Sequence, residues 1–374
     1  MSKPRILVTS AGGHTGSILA AQLLKMGFPV RAFVRRQDAR SERLRKAGAE
    51  IFVGDLYDMR DIRKALMNVQ RAYYCPPFAE NALHGSMLFA LAAEEAKLET
   101  VALLTAWNPH PLHPSIHQRE HWISNNIFQW MPSVDVVYVN PGLFAFTYFF
   151  GLPAVAHFGK LMLPYGEGLN APPSNEDIAS VAAFVLAEPE AHIGKSYRPT
   201  GPKLISGHDA ANIFGKILDR SVAYEDIPIS MFTKASKVMG FSNFEIAQIR
   251  RYAEELRGGT YAVGAPTDHV ELVTGRAPED FEVTARRYIE HPELVFPGLK
   301  IGGKLSAFWQ LLRIMVTRTP RLDRWESERG YPLIKEPLLA HDSEEWLVTA
   351  KQKGLALLKP NSDKGAPSVE KLAV

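Results

Sequence analysis

Val8-Thr9-Ser10-Ala11-Gly12-Gly13-His14-Thr15-Gly16 decides how the chain is read. It closes a short apolar run, Arg5-Ile6-Leu7-Val8-Thr9. It also opens a segment from Thr15 to Met26 in which Ile18, Leu19, Leu23 and Leu24 recur at helical spacing. A strand that turns through small residues into a helix is the setting in which a glycine pattern means a dinucleotide site. The turn must be sharp, admit a pyrophosphate against the backbone, and let helix and strand pack closely. The helix N-terminus adds N–H donors and partial positive charge. Ser10, Gly12, Gly13, His14, Thr15 and Gly16 are therefore expected around the phosphates.

Outward from this turn, strand and helix signals alternate. Strands are expected at 29–34, 50–53, 71–75, 100–104 and 134–139, and helices at 39–47, 59–67 and 83–97. The alternation predicts an α/β fold with a doubly wound parallel sheet, a Rossmann fold. After Asn140 it stops. Residues 141–173 are rich in Pro, Gly and aromatics, and helices follow at 175–187 (capped by Ser174 or Asn175), 207–218, 230–239 and 242–257, with a short strand at 195–199. The organisation read is a nucleotide-binding domain over 1–145, a smaller mixed α/β substrate-binding region over 146–291, and a helical extension over 292–374 that frays after about residue 360.

Composition sets bounds. Of 374 residues, 46% are hydrophobic and 22% charged, which suits a chain with a sizeable core and excludes disordered, collagen-like and disulfide-scaffold classes. Lys+Arg number 43 against 40 Asp+Glu, a net +3, too weak an excess for a nucleic-acid partner to be expected. The single cysteine, Cys75, makes neither an internal disulfide nor a thiolate metal site, which fits a reducing cytoplasm. Met1 to Arg5 is too short for the charged region of a secretory signal, so a cytoplasmic location is the expectation. Residues 136–156 carry no charge and are long enough to span a bilayer, but Asn140, Pro141, Gly142, Gly151 and Pro153 interrupt them. They read as a buried strand followed by an aromatic loop.

The end of the second strand selects the cofactor. NAD sites place an acid there for the ribose hydroxyls, whereas this chain has Val34-Arg35-Arg36. Two guanidinium groups suit the 2′-phosphate of NADP(H). Asp55 and Leu56, after the third strand, are placed to reach the adenine. Cys75-Pro76-Pro77 and Thr105, at the carboxyl ends of the fourth and fifth strands, are placed to border the nicotinamide.

Four stretches carry a family resemblance. They are the glycine turn; Gly54-Asp55-Leu56 with Asp61 to Leu66; Asn140-Pro141-Gly142-Leu143-Phe144; and Val273 to Pro278 with Asp280-Phe281. With Asn175-Glu176-Asp177-Ile178-Ala179, they make the first 290 residues resemble the NmrA-like group of atypical short-chain dehydrogenases/reductases. The resemblance implies NADP(H) and leaves two activities open, because the group includes both reductases and NADP-responsive regulators. Departures matter. Ser10 replaces the first family glycine, with the extra Gly12 expected to take the unusual backbone angles. The Tyr-x-x-x-Lys pair of standard short-chain dehydrogenases occurs only as Tyr331 to Lys335, in the extension, where Pro332 spoils the helix that would align it. The lysine that relatives of isoflavone reductase carry between the fifth and sixth strands is absent. That helix has His117-Gln118-Arg119-Glu120-His121 instead.

His117, with Glu120 at i+3, is the first candidate proton donor, since an imidazole titrates near neutral pH. The alternative is that His110, His113, His117 and His121 are ordinary polar residues on an exposed loop and helix. Their irregular spacing, with no carboxylate cluster, gives no reason to expect a metal. Tyr165 is the second donor candidate. Trp107, Asn140, Phe144, Phe146, Tyr148, Phe149 and Phe158, together with Phe150, are expected to form a substrate pocket favouring a bulky apolar molecule. In the extension, Leu305, Phe308, Trp309, Leu312 and Val316 form a helical stripe, and five basic residues and no acid lie between Leu299 and Leu322. That helix either docks its apolar face on the body or on a twin subunit, or it makes peripheral membrane contact through 303–319. The first functional reading is an NADP(H)-dependent reductase of a small but bulky hydrophobic carbonyl or enone, aromatic or polycyclic. The alternative is a non-catalytic NADP(H)-sensing regulator.

Overall fold

The computed structural model describes residues 3–296, 299–332, 334–339, 342–344, 348 and 352. Its strands are β1 (Ile6–Val8), β2 (Val30–Val34), β3 (Glu50–Val53), β4 (Arg71–Tyr74), β5 (Thr100–Leu104), β6 (Asp135–Val139), β7 (Lys160–Leu163), β8 (Ser196–Tyr197) and β9 (Ala223–Asp226). Seven of them form one parallel sheet in the order β3-β2-β1-β4-β5-β6-β8. The chain runs outward to one edge, returns to the middle and runs out to the other. The reversal lies between β1 and β4, so their carboxyl ends open a crevice.

The helices that flank the sheet are α1 (His14–Lys25), α2 (Ala39–Lys46), α3 (Met59–Leu66), α4 (Ala82–Glu95), α5 (Ile116–Gln129) and α7 (Asn175–Ala187), while α6 (Leu152–Phe158) packs on β7 instead. Alternation along each strand decides which helix layer a side chain meets. In β1, Ile6 and Val8 pack with Leu19 and Leu23 of α1 and with Ile178 and Val181 of α7. Leu7, between them, faces Ile62, Phe89 and Phe128 on the other side. The small residues of α7 let it lie close along α1, and Ser174 caps it by accepting from the Asp177 N–H.

Residues 141–173 are more regular than their composition suggests. A 3-10 turn over Ala145–Phe149 leads into α6 and then β7, which pairs in parallel with β9 as a second, two-stranded sheet. The helices α8 (Gly207–Ile217), α9 (Ile229–Val238), α10 (Asn243–Arg257) and α12 (Phe281–Glu290) close a separate apolar core around Phe149, Leu161, Phe214 and Phe281, whereas α11 (His269–Thr274) packs on α7 in the first core through Val270 and Val273. In the extension, α13 (Lys304–Val316) rests on α9 and α6, and α14 (Leu322–Glu328) rests on α10. The fraying expected after residue 360 lies outside the described residues. Among the described residues no helix is long and apolar enough to cross a membrane.

Candidate functional site

The glycine turn fits a phosphate cradle, with its strain on an unexpected residue. The left-handed angles fall on Ser10 (φ 49°) and not on Gly12. Ser10 is held there by its Oγ, which donates to the Cys75 carbonyl at 3.0 Å, and by the Gly13 N–H, which donates to the Ser10 carbonyl at 2.8 Å. A Cβ on Gly13 would stand 3.0 Å from the Ser10 carbonyl oxygen, and one on Gly16 would stand 2.5 Å from it. The start of α1 has no side-chain cap and no acid in its first turn, whereas Asp38, Asp58 and Ser115 cap α2, α3 and α5. Its first N–H groups are thus open to an anion. Thr15 turns its hydroxyl inward, 2.9 Å from Tyr73 Oη. The His14 ring stacks on Phe146 at 4.5 Å, and burial lowers its pKa and keeps it neutral.

At the end of β2, Arg35 and Arg36 are exposed, with Arg36 Nε 3.9 Å from Asp38. Sequence reasoning missed a third guanidinium. Arg40, in the first turn of α2, donates to the Gly12 carbonyl at 3.2 Å and to Asp38 at 2.6 Å. That bond pulls the Asp38 carboxyl down to about 2. Asp55 accepts from the Tyr57 N–H at 3.0 Å, and Leu56 is buried beside it in the core.

One cavity of about 510 Å³ runs from this turn into the second half of the chain. Ser10, Gly13, His14 and Thr15 line one end. Cys75, Pro76, Pro77 and Phe78 line its middle, followed by Thr105, Trp107, His117 and His121. Phe144, Phe146, Phe150, Tyr165, Phe232, Phe241 and Tyr252 enclose the far end. Among the described residues no lysine or arginine is on the wall, and Glu245 is its one carboxylate. Burial raises the Cys75 thiol to about 11, so it is no nucleophile at neutral pH, and raises the Tyr165 hydroxyl well above its ordinary value. Several expected pocket residues lie elsewhere. Tyr148 and Phe149 are fully buried in the core with Phe281, and Phe158 ends α6 away from the cavity. Asn140 ties strand ends together, donating to the Ala106 carbonyl at 3.0 Å and accepting from Ser196 Oγ at 2.8 Å. It borders a separate cavity.

The histidines are not solvated. His110, His113 and His117 are buried, and His121 is half-buried. His113 is tied to Glu255 at 2.7 Å. His117 and His121 form a chain with Thr105: His121 Nδ1 is 3.3 Å from Thr105 Oγ1, and His121 Nε2 is 3.1 Å from His117 Nε2. The other nitrogen of His117, Nδ1, is buried without a hydrogen-bond partner and lies 4.0 Å from Glu120 Oε2, itself buried and unpartnered. The i, i+3 pairing of His117 with Glu120 is thus present but loose, and the closer partner is His121. Burial, then the neighbouring His121, pushes the His117 pKa well below its ordinary value. Burial alone takes His121 to about 4, and burial raises Glu120 to about 7 against the pull of Arg119. Phe78 closes over His117 edge to face at 4.9 Å. The partnership of His121 was open to inspection in the sequence, because i, i+4 residues share a helix face. The role of Phe78 had no sequence signal.

An open parallel sheet reversing at β1 and β4, with a glycine turn at that point, defines the class of NAD(P)-binding Rossmann-type proteins. Residues 2–103 match the model of the NmrA-like family. Two relatives extend the comparison. Sterol demethylase protein B of Methylococcus capsulatus is 32% identical over 127 residues, which are 31% of this chain and 38% of that protein, so the match spans well under half of the relative. The (4-alkanoyl-5-oxo-2,5-dihydrofuran-3-yl)methyl phosphate reductase of Streptomyces griseus is 23% identical over 290 residues, 76% of this chain and 98% of that one. Two solved structures share the fold. An NADPH-dependent quinone oxidoreductase of Escherichia coli, complexed with NADPH, superposes with a TM-score of 0.67 at 19% identity, covering 77% of this chain and 99% of its own. NmrA, a negative transcriptional regulator complexed with NADP, does so with a TM-score of 0.66 at 15% identity, covering 80% and 99%.

Proposed function

We propose that the chain is an NADP(H)-dependent reductase of a bulky, uncharged, hydrophobic carbonyl or enone. The observation that carries this reading is a threonine hydroxyl, backed by two neutral imidazoles and a carboxyl, at the wall of an apolar cavity that continues to an uncapped helix N-terminus. The residues present fit the cofactor. Gly13 and Gly16 leave the turn open, the first N–H groups of α1 would hold the phosphates, and Arg35, Arg36 and Arg40 would offer guanidinium groups to the 2′-phosphate. Exposed Asp55 would serve the adenine side, with Leu56 turned into the core, and Cys75, Pro76 and Pro77 the nicotinamide side. The dinucleotide, when bound, supplies the hydride.

The chain's own residues supply the proton. Thr105 Oγ1–H donates to the substrate oxygen, while His121 Nδ1–H donates to Thr105 and His117 Nε2–H donates to His121 Nε2. As negative charge develops on the substrate oxygen, the Thr105 proton moves to it. His121 then refills Thr105, His117 refills His121, and Glu120 refills His117 Nδ1 after a small rotation of its carboxyl across 4.0 Å. Neutral histidines suit this role, because each gains one proton as it gives one up. The cation-free wall favours an uncharged substrate, since a phosphate ester such as the one in the Streptomyces enzyme's name would find no countercharge there.

The cofactor preference is tested by calorimetry. Arg35→Asp with Arg36→Ser should weaken NADPH by about tenfold or more and leave NADH nearly unchanged. Equal wild-type affinity for the two would end the NADP(H) reading. The proton chain is tested by pH. Only protonated Glu120 can refill His117, so kcat should fall as pH rises through about 7, and Glu120→Gln should abolish that limb. The same group affects stability. Its carboxyl titrates higher in the folded than in the unfolded chain, so the native state holds the extra proton between about pH 4.5 and 7, and stability falls as pH rises through that window. Glu120→Gln should recover about 2 kcal/mol at pH 8, measured by urea unfolding. The sensor reading keeps the missing lysine and the missing Tyr-x-x-x-Lys pair as its arguments. NADPH oxidation tested across hydrophobic quinones and enones decides between the two. Tight NADPH binding with no turnover on any of them would replace the reductase by the sensor.

A further inference from the structure

Helix α13 turns its large apolar residues outward. It rests on α9 and α6 through Ala307 and Ile314, which are buried, with Leu311 beside them. Leu305, Phe308, Trp309, Met315 and Val316 are each more than half exposed, and Leu312 is 38% exposed. At 100° per residue these six fall in one arc of about 120°, with Lys304 at one border and Arg313 at the other. The sequence expectation that this stripe docks on the body is therefore overturned. The face that docks is the small one, because Ala307 lets the helix axes approach.

We propose that this arc seats the protein on an anionic lipid surface. Charge complementarity selects that occupant. Lys300, Lys304, Arg313, Arg318 and Arg321 are all exposed, no acid interrupts the segment from Leu299 to Leu322, and Lys234 of α9 reaches the Met315 carbonyl at the end of the same helix. Aromatic and aliphatic side chains framed by Lys and Arg match the boundary between acyl chains and anionic headgroups. The buried side of α13 adds a second observation. Ala307, Leu311 and Ile314 line an apolar cleft whose other wall includes Phe150 and Phe232, and those two rings also line the large cavity. Phe150 and Phe232 thus form a shared wall between the cleft under α13 and the candidate site. The docking does not depend on the reductase reading, because it is read without turnover.

The test is flotation of the full-length protein with vesicles of phosphatidylcholine alone, or with about 30% phosphatidylglycerol. The protein should float with the anionic vesicles and stay behind with the neutral ones, and high salt should weaken binding. Phe308→Ser with Trp309→Ser, and separately Lys304→Glu with Arg313→Glu, should each lower bound protein by about tenfold or more, with unchanged far-UV circular dichroism and NADPH affinity. All four side chains are exposed, so these variants should fold. Wild-type protein that ignores anionic vesicles would overturn the proposal. So would light scattering that finds a dimer converted to monomer by Phe308→Ser with Trp309→Ser, since the arc would then be the seat of a second copy.

Discussion

Thr105→Val should lower kcat by about 10²–10⁴-fold on any carbonyl the protein reduces, with NADPH affinity unchanged. Valine keeps the shape of threonine and removes the one hydroxyl that joins the cavity to His121. His121→Ala and His117→Ala should follow in the same direction, by about 10²-fold, because they remove the source that refills Thr105 and not the donor itself. Tyr165→Phe is the control. Its hydroxyl also borders the cavity, but burial holds its proton tightly and it has no place in the histidine chain. Stopped-flow kinetics with saturating NADPH separates these outcomes. Full activity in Thr105→Val and loss in Tyr165→Phe would move the proton donor to the tyrosine.

Gly13→Val should reduce NADPH affinity by about a hundredfold or more while the protein still folds. The Cβ of the new residue would already press on the Ser10 carbonyl at 3.0 Å, and its methyl groups would occupy the space over the first N–H groups of α1. Gly16→Ala is the instructive comparison. There the Cβ would lie 2.5 Å from the Ser10 carbonyl and 3.1 Å from Ala11 Cα, so helix and turn must separate and the loss should fall on folding instead. Calorimetry with NADPH, paired with thermal melts, resolves the two. Undiminished affinity in Gly13→Val would put the phosphates elsewhere.

The sheet was legible because each β–α unit advertises itself locally. Strand runs such as Val30–Val34 end in polar or glycine turns, and helices such as Asn175–Ala187 begin with caps. What was not legible depends on contacts between distant parts of the chain. Counting aromatics after Asn140 found the pocket wall but not its sides. In a 3-10 turn side chains three apart align, so Phe144, Thr147 and Phe150 reach the cavity together, with Phe146 beside them, while Tyr148 and Phe149 are drawn into the core by Phe214, Phe281 and Tyr288. Arg40 lay hidden because a residue on the second helix touches the first turn only when the sheet is assembled. The stripe on α13 was legible as a stripe, but periodicity gives a face and not the neighbour it meets, so body, twin subunit and membrane stayed open until the structure turned it away from the body.

His117, Glu120 and His121 stand within little more than one turn of a single helix, and Thr105 ends the neighbouring strand. The spacing of that trio is a property of helical pitch, so no loop has to close to assemble it. The aromatic wall, by contrast, comes from the 3-10 turn, α9 and α10, elements that share no segment with α5. In the proposed reductase, reaction chemistry and substrate shape would therefore come from different elements, which meet where Phe244 and Gln248 of α10 touch His117. Under that reading, mutations in the 3-10 turn and α9 could remodel the wall for new molecules and leave the proton route intact, whereas mutations in α10 would change both.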